Sequence, residues 1–261
     1  MNYKLDNINI SSFGAYPKID KAQECIAVSG IFDLPKRKGN TEYNWGTLIE
    51  PFVESQDMEF DGRTITLNLC VEGNSYKTNL RNLKTACINC RKLTTDYGVF
   101  DVIAKDEITV DEYENFNIAI VNVKFWQQNY IFPELIIKPS GGDGFLLDGY
   151  NFSKDFDLYV SSCKNAENIA KRIDINTTLP YTRTLFREAR DITLECSMTG
   201  NNLTELYSKM MQFHALCVKP GIHTLQTPEN RAYNIYFKDG ISVKAVLNSL
   251  LKFNLKCRTM A

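Results

Sequence analysis

Histidine is nearly missing from this 261-residue chain, with only His214 and His223 present. That scarcity removes the usual general base and the commonest metal ligand from most of the molecule. Neither sign of charge dominates. Lys and Arg number 30 against 31 for Asp and Glu, so no global basic field exists for gripping nucleic acid. The balance swings only mildly, from 15 basic and 19 acidic residues over 1–140 to 15 and 12 over 141–261. Long apolar runs are also lacking. Stretches such as Ile118–Val121 and Ile131–Ile137 fall far short of the ~20 residues of a membrane helix, so no membrane anchor is expected. Met1–Asn7 holds no basic start leading into an apolar core, so no signal peptide is expected and synthesis in a reducing cytoplasm follows. In that setting the eight cysteines are not read as a disulfide scaffold. These absences point away from an enzyme.

What is present is mostly strand pattern. Arg63–Leu69 alternates polar and apolar residues with period two, and Asn117–Phe125 does much the same. Asp191–Cys196 and Lys252–Cys257 repeat the pattern downstream. Helical spacing occurs twice. Tyr76, Leu80, Leu83, Cys87 and Cys90 form one stripe, with Asn74 and Ser75 as cap candidates and a helix expected over Tyr76–Leu93. Leu203, Leu206, Tyr207, Met210, Phe213 and Cys217 form the other, after Asn201 and Asn202, and Pro220-Gly221 stops it.

These pieces come in the same order twice. Arg63-x-Ile65-Thr66-Leu67 returns as Arg190-x-Ile192-Thr193-Leu194, and Gly73-Asn74 returns as Gly200-Asn201. A helix follows each, with Cys90 and Cys217 in register. Val121-Asn122-Val123-Lys124 then closes the first copy and Phe253-Asn254-Leu255-Lys256 the second. Both copies also open alike, with Leu5-Asp6 before Asn9-Ile10-Ser11 and Leu147-Asp148 before Asn151-Phe152-Ser153. The turn-rich run Lys138–Gly144 separates them. Two modules are therefore expected, 1–138 and 145–261, joined by a linker at 139–144. Each is a mainly β (α+β) unit with one helix against a largely antiparallel sheet. Asp33–Asn40 reads as a long polar loop or hairpin tip, and Gly98 and Asp239-Gly240 read as hairpin turns.

The motifs that would carry chemistry mostly dissolve. Cys87 and Cys90 make a CxxC, yet no second pair completes a zinc site, and their late helical position suits two small core residues. The two histidines are too far from any Glu-x-x-His spacing to suggest a metal. Asp106-Glu107 and Asp111-Glu112-Tyr113-Glu114 read as a solvated acidic loop without calcium-ligand spacing. Ser140–Gly144 lacks the Gly-Lys-Ser/Thr ending of a phosphate loop. No catalytic residue, cofactor or metal is expected. One basic cluster remains, Lys36-Arg37-Lys38, with Arg187 and Arg190 before the matching strand of the second copy. It reads either as a solvated loop tip or as a rim that contacts a neighbouring subunit or faces a DNA channel.

Gly62-Arg63-Thr64-Ile65-Thr66-Leu67 running through Val71-Glu72-Gly73 into a helix resembles the tube-forming module of long-tailed bacteriophage tail proteins, notably the distal tail protein and baseplate hub families. The resemblance implies two tandem tail-tube-like β-sandwich modules, each with one flanking helix. It also implies a virion structural protein of the tail tip that forms a homo-oligomeric ring, joins the tail tube to the baseplate or hub, and lets DNA pass. Two such modules per chain suit a trimer presenting six quasi-equivalent modules, as in a hub, while a hexamer would match a distal tail protein. Partners would be other copies of the chain and the tube, tape measure, hub or receptor-binding components. The Trp45-bearing loop fits the ring-forming hairpin of such proteins, so Lys36, Arg37, Lys38 and Trp45 are the candidate subunit-interface or channel residues. The second copy shows no obvious counterpart, with only the shorter Thr177–Tyr181 segment. The alternative is a carbohydrate- or ligand-binding β-sandwich, for which Trp45, Trp126 and the tyrosines would be stacking surfaces.

Overall fold

Period-two alternation becomes strand wherever the sequence carries it over a long run, because one face of each such strand can be buried against a neighbour. The computed structural model describes residues 3–19, 26–45, 49–165, 172–175, 178, 181–184 and 190–260. In the first half these form β1 (Lys4–Leu5), β2 (Ile8–Asn9), β3 (Ala15–Pro17), β4 (Val28–Ser29), β5 (Glu42–Asn44), β6 (Ile49–Pro51) and β7 (Arg63–Glu72). Helix α1 (Tyr76–Asn89) follows, then β8 (Lys92–Thr95), β9 (Gly98–Asp101), β10 (Ile103–Tyr113) and β11 (Ile118–Gln127). The second half holds β12 (Leu146–Leu147), β13 (Tyr150–Asn151), α2 (Phe152–Phe156), β14 (Leu158–Asn165), β15 (Arg172–Ile175), β16 (Tyr181–Thr184) and β17 (Asp191–Thr199). It continues with α3 (Leu203–Cys217), β18 (His223–Gln226), β19 (Ala232–Tyr236), β20 (Val243–Leu247) and β21 (Leu250–Thr259). The fold is mainly β, and its sheets are antiparallel.

The order of strands occurs twice. One sheet of the first half runs β10-β11-β7-β3, with β4 also on β7, and the second half repeats it as β20-β21-β17-β14. The other sheet runs β2-β1-β8-β9, repeated as β13-β12-β18-β19. Register repeats too. Leu67 faces Val123 and Leu194 faces Leu255, while Leu5 faces Leu93 and Leu147 faces Leu225. The opening hairpins are built alike. Asp6 and Asn7, then Asp148 and Gly149, take the left-handed backbone that a two-residue turn needs. The carboxylate of Asp6 accepts from the Arg91 and Lys92 amides, and that of Asp148 from the Thr224 amide. Asn9 then caps a 3-10 turn at Ile10–Phe13, as Asn151 caps α2. The halves differ in how their sheets meet: β19 pairs with β21 and fuses the two sheets of the second half into one.

The helices bury the stripes that their spacing marks. Tyr76, Leu80, Leu83 and Cys87 of α1 are buried, and so are Leu206, Met210 and Phe213 of α3. Each buried Leu, Met or Phe among them contributes about 1.5–3 kcal/mol. The N-terminus of α3 is closed by a reciprocal pair of bonds, from the Glu205 amide to Asn202 and from the Asn201 amide to Glu205. Ser75 sits at the start of α1 without a side-chain cap bond.

Several expectations need correction. Helix α1 ends at Asn89, short of Leu93, because Lys92–Thr95 pairs with β1 and β9 and the sheet takes that backbone. The acidic run is not a loop: Asp106, Glu107, Asp111 and Glu112 lie on β10, an edge strand. Asp239-Gly240 does not turn a hairpin, since β19 and β20 both pair with β21 and not with each other. The second half does have a hairpin, β15 on β16, where the sequence showed no counterpart. Thr177, Leu179, Pro180 and Arg187 lie outside the described residues.

The two halves share one buried core. Between them Phe32, Tyr97 and Tyr207 meet with ring centroids 5.5 to 5.9 Å apart. Beside them lies Arg63, 5% exposed at the head of β7. Its Nε donates to Gln127 Oε1 at 2.8 Å, and its Nη1 to the carbonyls of Ile31 and Asp33 at 2.7 and 3.0 Å. Its guanidinium lies over the Tyr130 ring, 4.3 Å from the centroid. Replacing Arg63 with Met leaves those buried carbonyls without a donor and is expected to cost about 3 kcal/mol in equilibrium urea unfolding. Arg63→Lys should restore only part, because an ammonium cannot span the same acceptors.

Candidate functional site

The basic triplet and Trp45 lie on one excursion, residues 33–62, that leaves the first half and is laid across the second. It begins at an antiparallel bridge between Leu34 and Ile241, with the two amides donating across at 2.9 and 3.1 Å. Beside it the Val243 amide donates to Asp33 at 2.8 Å. Only a glycine permits this approach: a Cβ on Gly240 would stand 2.1 Å from the Leu34 carbonyl oxygen. Farther out, β5 and β6 form a hairpin. Ile49 and Val53 pack on Tyr236, and the Gly221 amide donates to the Val53 carbonyl at 2.8 Å.

Glu42 fastens the hairpin. Its carboxylate accepts from the Tyr236 hydroxyl, from Lys238 at 3.0 Å, and faces Arg258 at 3.6 Å. Burial alone would raise this carboxyl, but those donors and cations hold it below its ordinary value. Arg258 continues to Asp191 at 3.1 Å, and Lys256 bridges Asp191 and Asp239 at 3.0 and 3.3 Å. None of these partners stands out in the sequence, because each lies in a different strand or loop of the far half.

The candidate residues divide. Arg37 is buried, with Nη2 donating to the Phe52 carbonyl and, at 3.4 Å, to that of Asp57. Burial pulls its guanidinium below the ordinary value, against the pull of Asp57. Lys36 and Lys38 point outward, as alternation about a bridging residue requires. Trp45 is 62% exposed, with its indole N–H donating to Glu50 at 2.9 Å and Tyr43 beside it at 4.5 Å between centroids. The structure thus brings Lys36, Lys38 and Trp45 to one exposed excursion and turns Arg37 into its interior. Arg190 lies apart, over the Tyr233 ring. Trp126 is also apart, packed under Lys105 at 4.4 Å.

The CxxC pair and both histidines are built into the core. Burial pushes the Cys87 thiol to about 12 and the Cys90 thiol to about 11, far from a reactive thiolate. His223 is buried, with Nδ1 at 2.6 Å from Asp148 and Nε2 at 3.0 Å from the Lys219 carbonyl. His214 is fully buried, its Nδ1 3.1 Å from the Tyr130 hydroxyl. Burial, helped by the charge of Arg63, holds it down to about 3. Among the described residues no group of three or more His, Cys, Asp or Glu could hold a metal ion. Among them, too, no helix is long and apolar enough to cross a membrane.

Geometry therefore defines a duplicated, mainly β protein whose distinctive surface is the excursion 33–62 and its sheet edges. No family model matches the chain, and no curated protein matches it. Among solved structures, it is similar to the SPP1 Dit (gp 19.1) protein, described as a paradigm of hub adsorption apparatus in Gram-positive infecting phages. The identity is 10%, the match covers 98% of each chain, and the TM-score is 0.28.

Two expectations follow from this geometry. The folded chain refuses the His214 proton that the unfolded chain accepts between about 6.5 and about 3, so stability should fall as pH drops through that window. His214→Phe should flatten that slope when urea midpoints are measured from pH 7 to 4. Gly240→Ala should unseat the excursion, cost about 2 kcal/mol or more, and open the Lys36–Lys38 backbone to trypsin under native conditions.

Proposed function

We propose that this chain is a structural component of a phage-type tail tip, one copy in a homo-oligomeric ring that joins the tail tube to the baseplate or hub and lets DNA pass. The carrying observation is the strand order that occurs twice. Each half has a sheet with one long helix beside it, as the resemblance of the Arg63–Gly73 run implies for a tube-forming module. In this reading residues 1–138 and 145–261 are tube-like modules, and three chains present six of them, or six chains build a larger ring. The chain has no catalytic role. Its work is done by strand edges and exposed loops, which need neither histidines nor a strong net charge. Lys36, Lys38 and Trp45, carried outward on a fastened excursion, contact a neighbouring subunit or another tail protein. Arg37 serves that surface only by holding the excursion in shape.

Light scattering on the purified protein is expected to give a mass of three or six chains, with annular particles in negative stain. A monomer at high concentration would overturn the reading. Lys36→Ser with Lys38→Ser should weaken assembly and reduce its dependence on salt while leaving the urea midpoint of the chain unchanged. Arg37→Ser should lower that midpoint instead.

A further inference from the structure

The two halves of one chain already show how one module meets the next. In the first half, β3 and β4 lie on the same side of β7, where β14 lies on β17 in the second half. Val28 faces Leu67 as Cys163 faces Leu194, so β4 corresponds to the end of β14. Likewise β10 corresponds to β20, each the outer partner of the closing strand, β11 or β21. The chain leaving β4 reaches the start of β20 through the Leu34–Ile241 bridge and the bond from Val243 to Asp33. The internal junction thus joins the β4 side of one sheet to the β20 side of the other. Among the described residues, the equivalent surfaces left over are the outer edges of β14 and β10.

The geometry points to a head-to-tail contact in which the β14 edge of one copy docks on the β10 edge of the next, repeating the internal junction between chains. It rests on the ring reading above and names the surfaces that close the ring. A second copy fits for three reasons. The contact is heterologous, with different surfaces on the two sides, so it propagates and can close. β14 carries Lys164, paired with Glu195 of β17 at 2.7 Å, and no carboxylate of its own. β10 carries Asp106, paired with Lys124 at 3.8 Å, and Glu107, Asp111 and Glu112 with Lys105, so the excess negative charge of β10 meets a strand that adds none. And β10 is prepared for selective pairing. A bulge between Lys105 and Thr109, with Asp106 in left-handed backbone, breaks the edge and leaves Thr109–Tyr113 as a regular stretch. That stretch includes Val110, which faces Val121 on β11 as Val243 faces Phe253 on β21. Exposed apolar side chains flank the edge, with Ile103 at one end and Tyr113 and Phe116 at the other.

Cys163 provides the probe, since it is exposed on β14. Thr109→Cys and Asp111→Cys are made singly on β10, and Lys244→Cys on β20 as a control. Each protein, shown by light scattering to be assembled, is treated with a short bis-maleimide and run under denaturing conditions. The expected result is a ladder of cross-linked chains for both β10 variants, lost when Cys163→Ser is added, and no ladder for Lys244→Cys. An assembled protein that cross-links through Lys244→Cys, through Cys163 alone, or not at all from β10 overturns this contact and leaves the ring reading standing. A protein that stays monomeric overturns both.

Discussion

A buried guanidinium holds the centre of this molecule. Arg63 is buried, and taking a cation out of water costs several kcal/mol unless its donors are met. They are met by neutral oxygens from Gln127, Ile31 and Asp33 and by the face of Tyr130. Those groups belong to the end of β11, the start of the excursion and the segment joining the halves. Any displacement of the three would strand the charge, so their mutual placement is fixed by one side chain. The same charge reaches His214 on α3 and helps keep it neutral. Lysine could not substitute, because the arrangement uses a planar fork and a flat face against a ring.

Around that point the duplication is uneven in an informative way. The opening hairpins, their caps and the paired registers are nearly the same in both halves, because each depends on contacts within a few residues or on one strand partner. The edges differ. The first half has two short strands, β3 and β4, where the second has the single β14, and only the second half fuses its sheets through β19 and β21. The halves thus differ at their edges while keeping the same strand order.

The long strands, the helices and the repeat were legible in the sequence because their signals are periodic and local. Ile65, Leu67 and Leu69 alternate, and Tyr76, Leu80 and Leu83 fall on a stripe, so burial could be read directly. Two-residue strands such as β1 and β12 have no period to read; they exist because Leu93 and Leu225 offer partners. Asp33–Asn40 was legible as a long polar loop, but the reach of the excursion 33–62 onto the second half was not. Glu42 meets Tyr236 and Lys238 at separations of 194 and 196 residues, and nothing at either end announces the other. Arg37 looked like the middle of a basic tip because charge alone does not tell which way a side chain turns. Asp239-Gly240 looked like a hairpin turn because the glycine is required there, though for the approach of Leu34 and not for a reversal of the chain.

That long separation sets an order of events during synthesis. The excursion leaves the ribosome well before Tyr236, Ile241 and Arg258, which receive it. Contacts so distant in sequence form late, after the local hairpins and helices that need no waiting. Until the final strand β21 is in place, the β5–β6 hairpin has nothing to rest on. A chain cut short near its C-terminus would keep much of its secondary structure and still leave that hairpin adrift. Seating of the excursion therefore waits on β21 and cannot precede it.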